Sequence, residues 1–201
     1  AIATKTRAPV RELAILYQRA SLASANLGAS QKDVKKFIEA TGNAIAIQGG
    51  GMGRARGAMI QLSQAIGGAV VRAEEFNSIQ EGALPIILTV AKHMKGGALS
   101  FAELRQRVIE GKVSSKEFFE AFIAGAKDLE DAFGKTIPTI AQAFTVLNNQ
   151  TIKFIGGSED VVAASANISN AIIYLGKNLN EAIEIASILA IGRGVKNISA
   201  L

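Results

Sequence analysis

The sequence predicts an all-α protein, a multi-helix bundle of short helices and helical hairpins, and three observations carry that expectation. The composition is 49% hydrophobic yet only 5% aromatic, with no Trp, and such a mixture favours small, closely approaching helices over a sandwich or barrel. Apolar residues recur at three- and four-residue spacing along most of the chain. Between those stretches stand helix signals, either a Ser three residues before an acid or a glycine where the pattern stops. With 201 residues, one large domain or two small ones can be built.

Pro9 suits a first helical turn, and Val10, Leu13, Ala14 and Tyr17 follow at helical spacing towards Leu27, where Gly28 ends the helix. Ser30 with Asp33 opens a second helix along Val34, Phe37 and Ile38, and the glycine-rich "QGGGMG" from Gln48 to Gly53 interrupts or ends it and reads as a flexible hinge. Met59, Leu62 and Ile66 mark a third helix that stops at Gly67 and Gly68; Phe76, Ile79 and Ala83 mark a fourth, and Pro85 starts or kinks the next segment. Ser100 with Glu103 caps a helix carrying Phe101, Leu104 and Val108, which Gly111 ends. Ser114 with Glu117 caps the next, whose sustained stripe of Phe118, Phe122, Leu129 and Phe133 reads as core.

Pro138 opens a helix reaching Phe154, with Ile140, Phe144 and Leu147 expected inside. Gly156 and Gly157 read as a linker, so residues 1–155 form one expected helical domain and 158–201 an apolar helical hairpin that could continue into a longer chain. Ser158, Glu159 and Asp160 suit the start of that hairpin, Val161 to Leu175 its first helix, and Asn178 with Glu181 the start of a last helix carrying Ile183, Ile185, Ile188 and Leu189. Lys177, Glu181 and Glu184 break the run before it reaches the roughly 20 residues of a membrane span. Ala1 in place of Met, and an apolar run at the end, read as a piece of something longer.

Gly68, Val70, Glu74, Phe76, Ile79, Gly82 and Ala83 align with Gly111, Val113, Glu117, Phe119, Phe122, Gly125 and Ala126 at a constant offset of 43 residues. Helix-pair repeats have about this length. Glu74 is matched by Glu117 but Glu75 by Phe118, so a carboxylate dyad is not part of the shared pattern. One acid in a first helical turn, beside exposed amide groups, is.

Composition also excludes chemistry. There is no Cys, and His93 is the only His, so a zinc site or a nucleophile–base arrangement would rest on one imidazole. "QGGGMGRARG" lacks the ending of a phosphate loop and misses the last glycine of a dinucleotide fingerprint. A net charge of +5 is distributed in separated groups, Lys32, Lys35 and Lys36, then Arg54 and Arg56, then Arg105 and Arg107, without interleaved aromatics. Solvated helix faces explain them. No catalytic residue, cofactor or metal is expected; the residues singled out are the structural motif Gly68, Glu74, Phe76, Ile79, Gly111, Glu117, Phe119 and Phe122.

"GAMIQLSQAIGGAVVRAEEFNSIQEGALP", Gly57 to Pro85, resembles the signature segment of the tail tape measure proteins of long-tailed bacteriophages and prophages. "LSFAELRQRVIEGKVSSKEFFEAF" and "IPTIAQAFTVLNN" resemble the family's next two blocks, and with the upstream "LGASQKDVKKFIEATG" they cover most of residues 10–155 in the family's order. Ala73 stands where the family commonly has glycine before Glu-Glu-Phe. The resemblance implies a structural virion protein without enzymatic activity, which sets tail length inside the growing tube and leaves ahead of the DNA at ejection. It implies the tail tube protein, tail assembly chaperones and tail tip proteins as partners, with homo-oligomerisation and contact with the host membrane at ejection as further expectations; it implies the tube interior as location, and the host cytoplasm during assembly. A membrane-active module on residues 158–191 and a helical DNA-binding module using Arg54 and Arg56 stand as alternatives. Drawn out as one helix, 201 residues span roughly 300 Å, but the repeated glycines predict a folded module that opens when the protein is packed or ejected.

Overall fold

Helices begin and end where the caps place them. The structure, a computed structural model, describes residues 2–49, 51–157 and 160–181. The helices are α1 (Ile2–Lys5), α2 (Val10–Leu27), α3 (Gln31–Gln48), α4 (Met52–Gly67), α5 (Ala73–His93), α6 (Phe101–Ile109), α7 (Ser115–Ala124), α8 (Ala126–Gly134), α9 (Ile140–Gly156) and α10 (Val161–Lys177). The Ser hydroxyls of Ser30, Ser100 and Ser114 accept from the backbone N–H groups of Asp33, Glu103 and Glu117, whose carboxylates accept in return from the serine N–H groups. Each box satisfies two donors that a helix start leaves free. The fold is all-α, as composition and spacing predict.

The chain divides into two compact units, Ala1–Gln150 and Thr151–Leu201. In the first, α4 and α5 lie back to back, and α3 crosses α5, α7 and α8. The α4–α5 crossing is close because Gly82 has no side chain: a Cβ there would lie 2.3 Å from the Arg54 carbonyl oxygen and 2.8 Å from the Ala58 Cβ. Leu16, Phe37, Met59, Leu62, Phe76, Ile79, Phe118 and Phe122 fill the core. In the second unit Asp160 caps α10, its carboxylate accepting from Ala163 N–H at 2.8 Å. Val162 and Tyr174 of α10 are exposed, and none of the helices described is long and apolar enough to cross a membrane. Ile183, Ile185, Ile188 and Leu189 lie outside the described residues.

The helix end at the glycine-rich stretch and the kink at Pro85 occur as expected, in sharper form, while the aromatic stripe changes. The glycine-rich stretch interrupts only briefly: Gly49 ends α3 in the left-handed region at φ 66°, Gly51 precedes α4, and Gly53, Arg54 and Arg56 are helical. Pro85 lies within α5, which breaks at Ala83 (φ −157°, ψ 55°), because a proline ring and a missing N–H disrupt the preceding turn. The stripe from Phe118 to Phe133 is divided between α7 and α8 at Gly125. Phe133 is only half-buried there, with the Arg7 guanidinium 4.5 Å from its ring centroid.

The largest correction concerns α9. Ile140, Phe144 and Leu147, expected inside, are exposed, whereas Gln142, Thr145 and Asn149 are buried. Asn149 donates to the Ala8 carbonyl at 2.8 Å and accepts from Val10 N–H at 3.0 Å, while Gln142 donates to the Ala46 carbonyl at 2.8 Å. Those backbone groups flank Pro9 and the last turn of α3, where the described residues offer no ladder partner. An unpaired buried peptide group costs about 1–3 kcal/mol, so hydrogen bonding sets the rotation of α9 and hydrophobic periodicity does not.

Candidate functional site

The repeated segment meets itself through its linkers. Val70 and Ser114 form an isolated antiparallel β-bridge, with Val71 N–H donating to the Val113 carbonyl at 3.0 Å and Ser115 N–H to the Ala69 carbonyl at 3.1 Å. Under the 43-residue offset, Val70 corresponds to Val113 and Val71 to Ser114, so equivalent linkers pair about a local twofold axis. The buried Ser115 hydroxyl adds a hydrogen bond to the Ala65 carbonyl near the end of α4. Sequence reasoning missed this junction; its signal is two β-branched residues between a glycine and a helix start in α4–α5, answered by Val113 ahead of the Ser114 cap.

The motif residues divide into linker, cap and core positions. Gly111 sits at φ 66°, a left-handed conformation that glycine adopts without strain, whereas Gly68 is extended at φ −88°, ψ −174°. Glu117 accepts from the Ser114 hydroxyl at 2.7 Å and from Ser114 N–H at 3.1 Å, and those two bonds, the hydroxyl first, hold its carboxyl below the usual carboxylate range. In the first copy the same position of the helix belongs to Glu75: 7% exposed, it accepts from Arg72 N–H at 2.9 Å. Glu74 points to solvent, 3.9 Å from the Arg72 guanidinium. The helix starts therefore correspond at an offset of 42, one less than the residue alignment, and the tight glycines Gly82 and Gly125 at 43.

Phe76, Ile79, Phe119 and Phe122 are buried. Phe119 stacks on Phe37 of α3 with centroids 5.0 Å apart, and Phe122 meets the same ring edge-on at 5.5 Å. Phe76 leans on Phe101 of α6 at 5.9 Å. The ring contacts of one copy thus go to α3 and those of the other to α6, and aromatic pairs at these separations add about 0.5–1.5 kcal/mol beyond their burial.

Of the Glu74–Glu75 doublet one acid is a cap and the other is solvated beside Arg72, and both line an open pocket with Arg19 and Ser63. His93 lies 3.0 Å from Asp128, which also accepts from Lys92 at 2.6 Å; the lysine first, then the histidine, lowers the Asp128 carboxyl pKa. This triplet links the end of α5 to α8. Arg56 pairs with Glu12 of α2 at 3.4 Å. Among the described residues no cluster of three or more His, Cys, Asp or Glu could hold a metal ion.

Neither a curated protein nor a solved structure matches the chain. The profile of one family, described as Tape measure protein, matches residues 1–160, which include α1 to α9 and both copies of the repeat. The chain therefore belongs to the tape measure protein family and is a structural component of a phage tail.

Proposed function

We propose that this chain is part of the ruler that determines tail length during assembly, that it occupies the tube interior without catalytic activity, and that it is released ahead of the DNA at ejection. The observation that carries the reading is the family match over residues 1–160. The reading of a module that opens is supported by α9, which is attached by side-chain bonds to backbone groups. Its partners in this reading are the tail tube protein, the tail assembly chaperones and the tail tip proteins, with contact to the host membrane at ejection.

In-frame removal of about 40 residues from the gene, within the phage or prophage that encodes it, tests the length role. If the segment lies extended as helix in the tube, tails shorten by about 60 Å at 1.5 Å per residue. Intact tails of unchanged length, measured by electron microscopy, would refute a length-setting role for this segment.

A further inference from the structure

Helices α1, α3 and α8 enclose a cleft of about 380 Å³ whose lining comes wholly from the first unit. That volume falls in the range of ligand pockets, about 300–1,000 Å³. From α3 come Lys36, Glu39 and Asn43, three and four residues apart and hence on one helix face. Lys5 of α1 and Lys127 and Glu130 of α8 stand around them. Asn43 is only 2% exposed, and among the described residues no group donates to its Oδ1. Buried side-chain polar atoms in native proteins are for the most part paired, so an unpartnered acceptor lining a polar cleft calls for a donor from within that cleft.

The charges narrow the choice of donor. Both lining carboxylates are already engaged: Lys5 pairs with Glu39 and lies 4.0 Å from Glu130, while Lys127 lies 3.5 Å from Glu130 and 2.7 Å from Asp131. Lys36 makes no ion pair among the described residues, and its charge only assists Asp33 one turn earlier. A simple cation would have to displace a lysine from its carboxylate. A simple anion finds Lys36 but sets its oxygens against the buried Oδ1, which also accepts. Both open groups are matched at once by a ligand that carries a negative charge and, a short distance away, an N–H donor.

We propose that the cleft binds the carboxy-terminal end of a peptide chain, with the terminal carboxylate on the Lys36 ammonium and a backbone amide on Asn43. A carboxamide accepts from an N–H and donates to a carbonyl, so Asn43 pairs with one peptide group in both senses. From Lys36 to Asn43 the helix advances about 10.5 Å. The flexible lysine stem shortens that gap, which leaves the length of roughly one to three extended residues at about 3.3 Å each. The last residues of a peptide fit that span. The site goes beyond the length-setting role and does not depend on it.

Acetyl-alanyl-alanine, its C-terminal amide and acetate, each titrated into the full 201-residue chain, test the proposal, with the side-chain amide resonances of Asn43 as the readout. Acetyl-alanyl-alanine shifts those resonances saturably, with a dissociation constant in roughly the millimolar range. The C-terminal amide and acetate, each lacking one half of the match, bind at least about threefold more weakly. Lys36→Gln, at an exposed position, costs the peptide a similar factor and its C-terminal amide nothing. Asn43→Leu ends the binding and, by removing a buried atom without a partner, raises the melting temperature, which shows that the variant folds. Absence of saturation by acetyl-alanyl-alanine overturns the proposal. Equal binding of acetate assigns the cleft to any carboxylate, and equal binding of the C-terminal amide assigns it to internal peptide groups; either overturns it, as does binding that Lys36→Gln or Asn43→Leu leaves intact.

Discussion

The crossing of α4 and α5 can be tested by making one chemical change at two glycines. At Gly57, on the open side of α4, an added Cβ meets nothing within 4 Å. Gly57→Ala therefore gains helix propensity, about 1 kcal/mol, and the melting temperature rises by about 2–4 °C for a domain of this size. At Gly82 the same Cβ would lie 2.3 Å from the Arg54 carbonyl oxygen, over 1 Å inside ordinary contact, and 2.8 Å from the Ala58 Cβ. The obstructing atom is helix backbone, so the two helices must separate along their length. Overpacking of this kind costs about 1–3 kcal/mol, and the propensity gain is reduced because Ala83 leaves the helical region. A net loss near 2 kcal/mol lowers the melting temperature by about 4–8 °C. Thermal unfolding followed by circular dichroism at 222 nm reads both variants. If Gly82→Ala melts as high as Gly57→Ala, the crossing is not held at this distance and the account of the repeat's tight glycine fails.

Two further predictions follow from the caps and from α9. Asp33, Glu103 and Glu117 are each held below the ordinary carboxylate range, first by a serine hydroxyl and then by the serine N–H. A carboxyl that binds its proton more weakly folded than unfolded adds stability in full above the unfolded pKa of about 4 and loses it as pH falls through the lower folded value. Stability against urea is thus expected to fall from about pH 5 downward, and Ser114→Ala, which costs about 1 kcal/mol at neutral pH, flattens that dependence; an unchanged pH profile refutes the cap assignment. Asn149→Ala leaves the Ala8 carbonyl and Val10 N–H without their side-chain partner, at a cost of about 1–3 kcal/mol. Amide exchange should accelerate in α9 while α3 and α7 keep their protection, and uniform acceleration would show that α9 is not a separately held element.

Local chemistry was legible because it needs no partner. Ser30–Asp33, Ser100–Glu103 and Ser114–Glu117 satisfy their own helix starts within four residues, so a sequence pattern contains the whole interaction. The buried positions of Phe37, Leu62 and Phe76 likewise follow from spacing, since a stripe of large apolar side chains on one helix face has few places to go. The match to a family rests on the same local blocks. Periodicity misled where a polar need outweighed it: in α9 three peptide groups of distant segments lacked partners, and their positions cannot be read from α9.

The sequence by itself determined the all-α class, the helix starts and the 43-residue repeat, because propensity, capping and spacing act within one helix. Only the tertiary structure decided that equivalent linkers pair through Val70 and Ser114, that Gly82 sets the α4–α5 distance, and that α9 turns its apolar seam outward. Each of these depends on which groups from remote parts of the chain arrive unsatisfied or too close, and that is a property of the assembled helices alone.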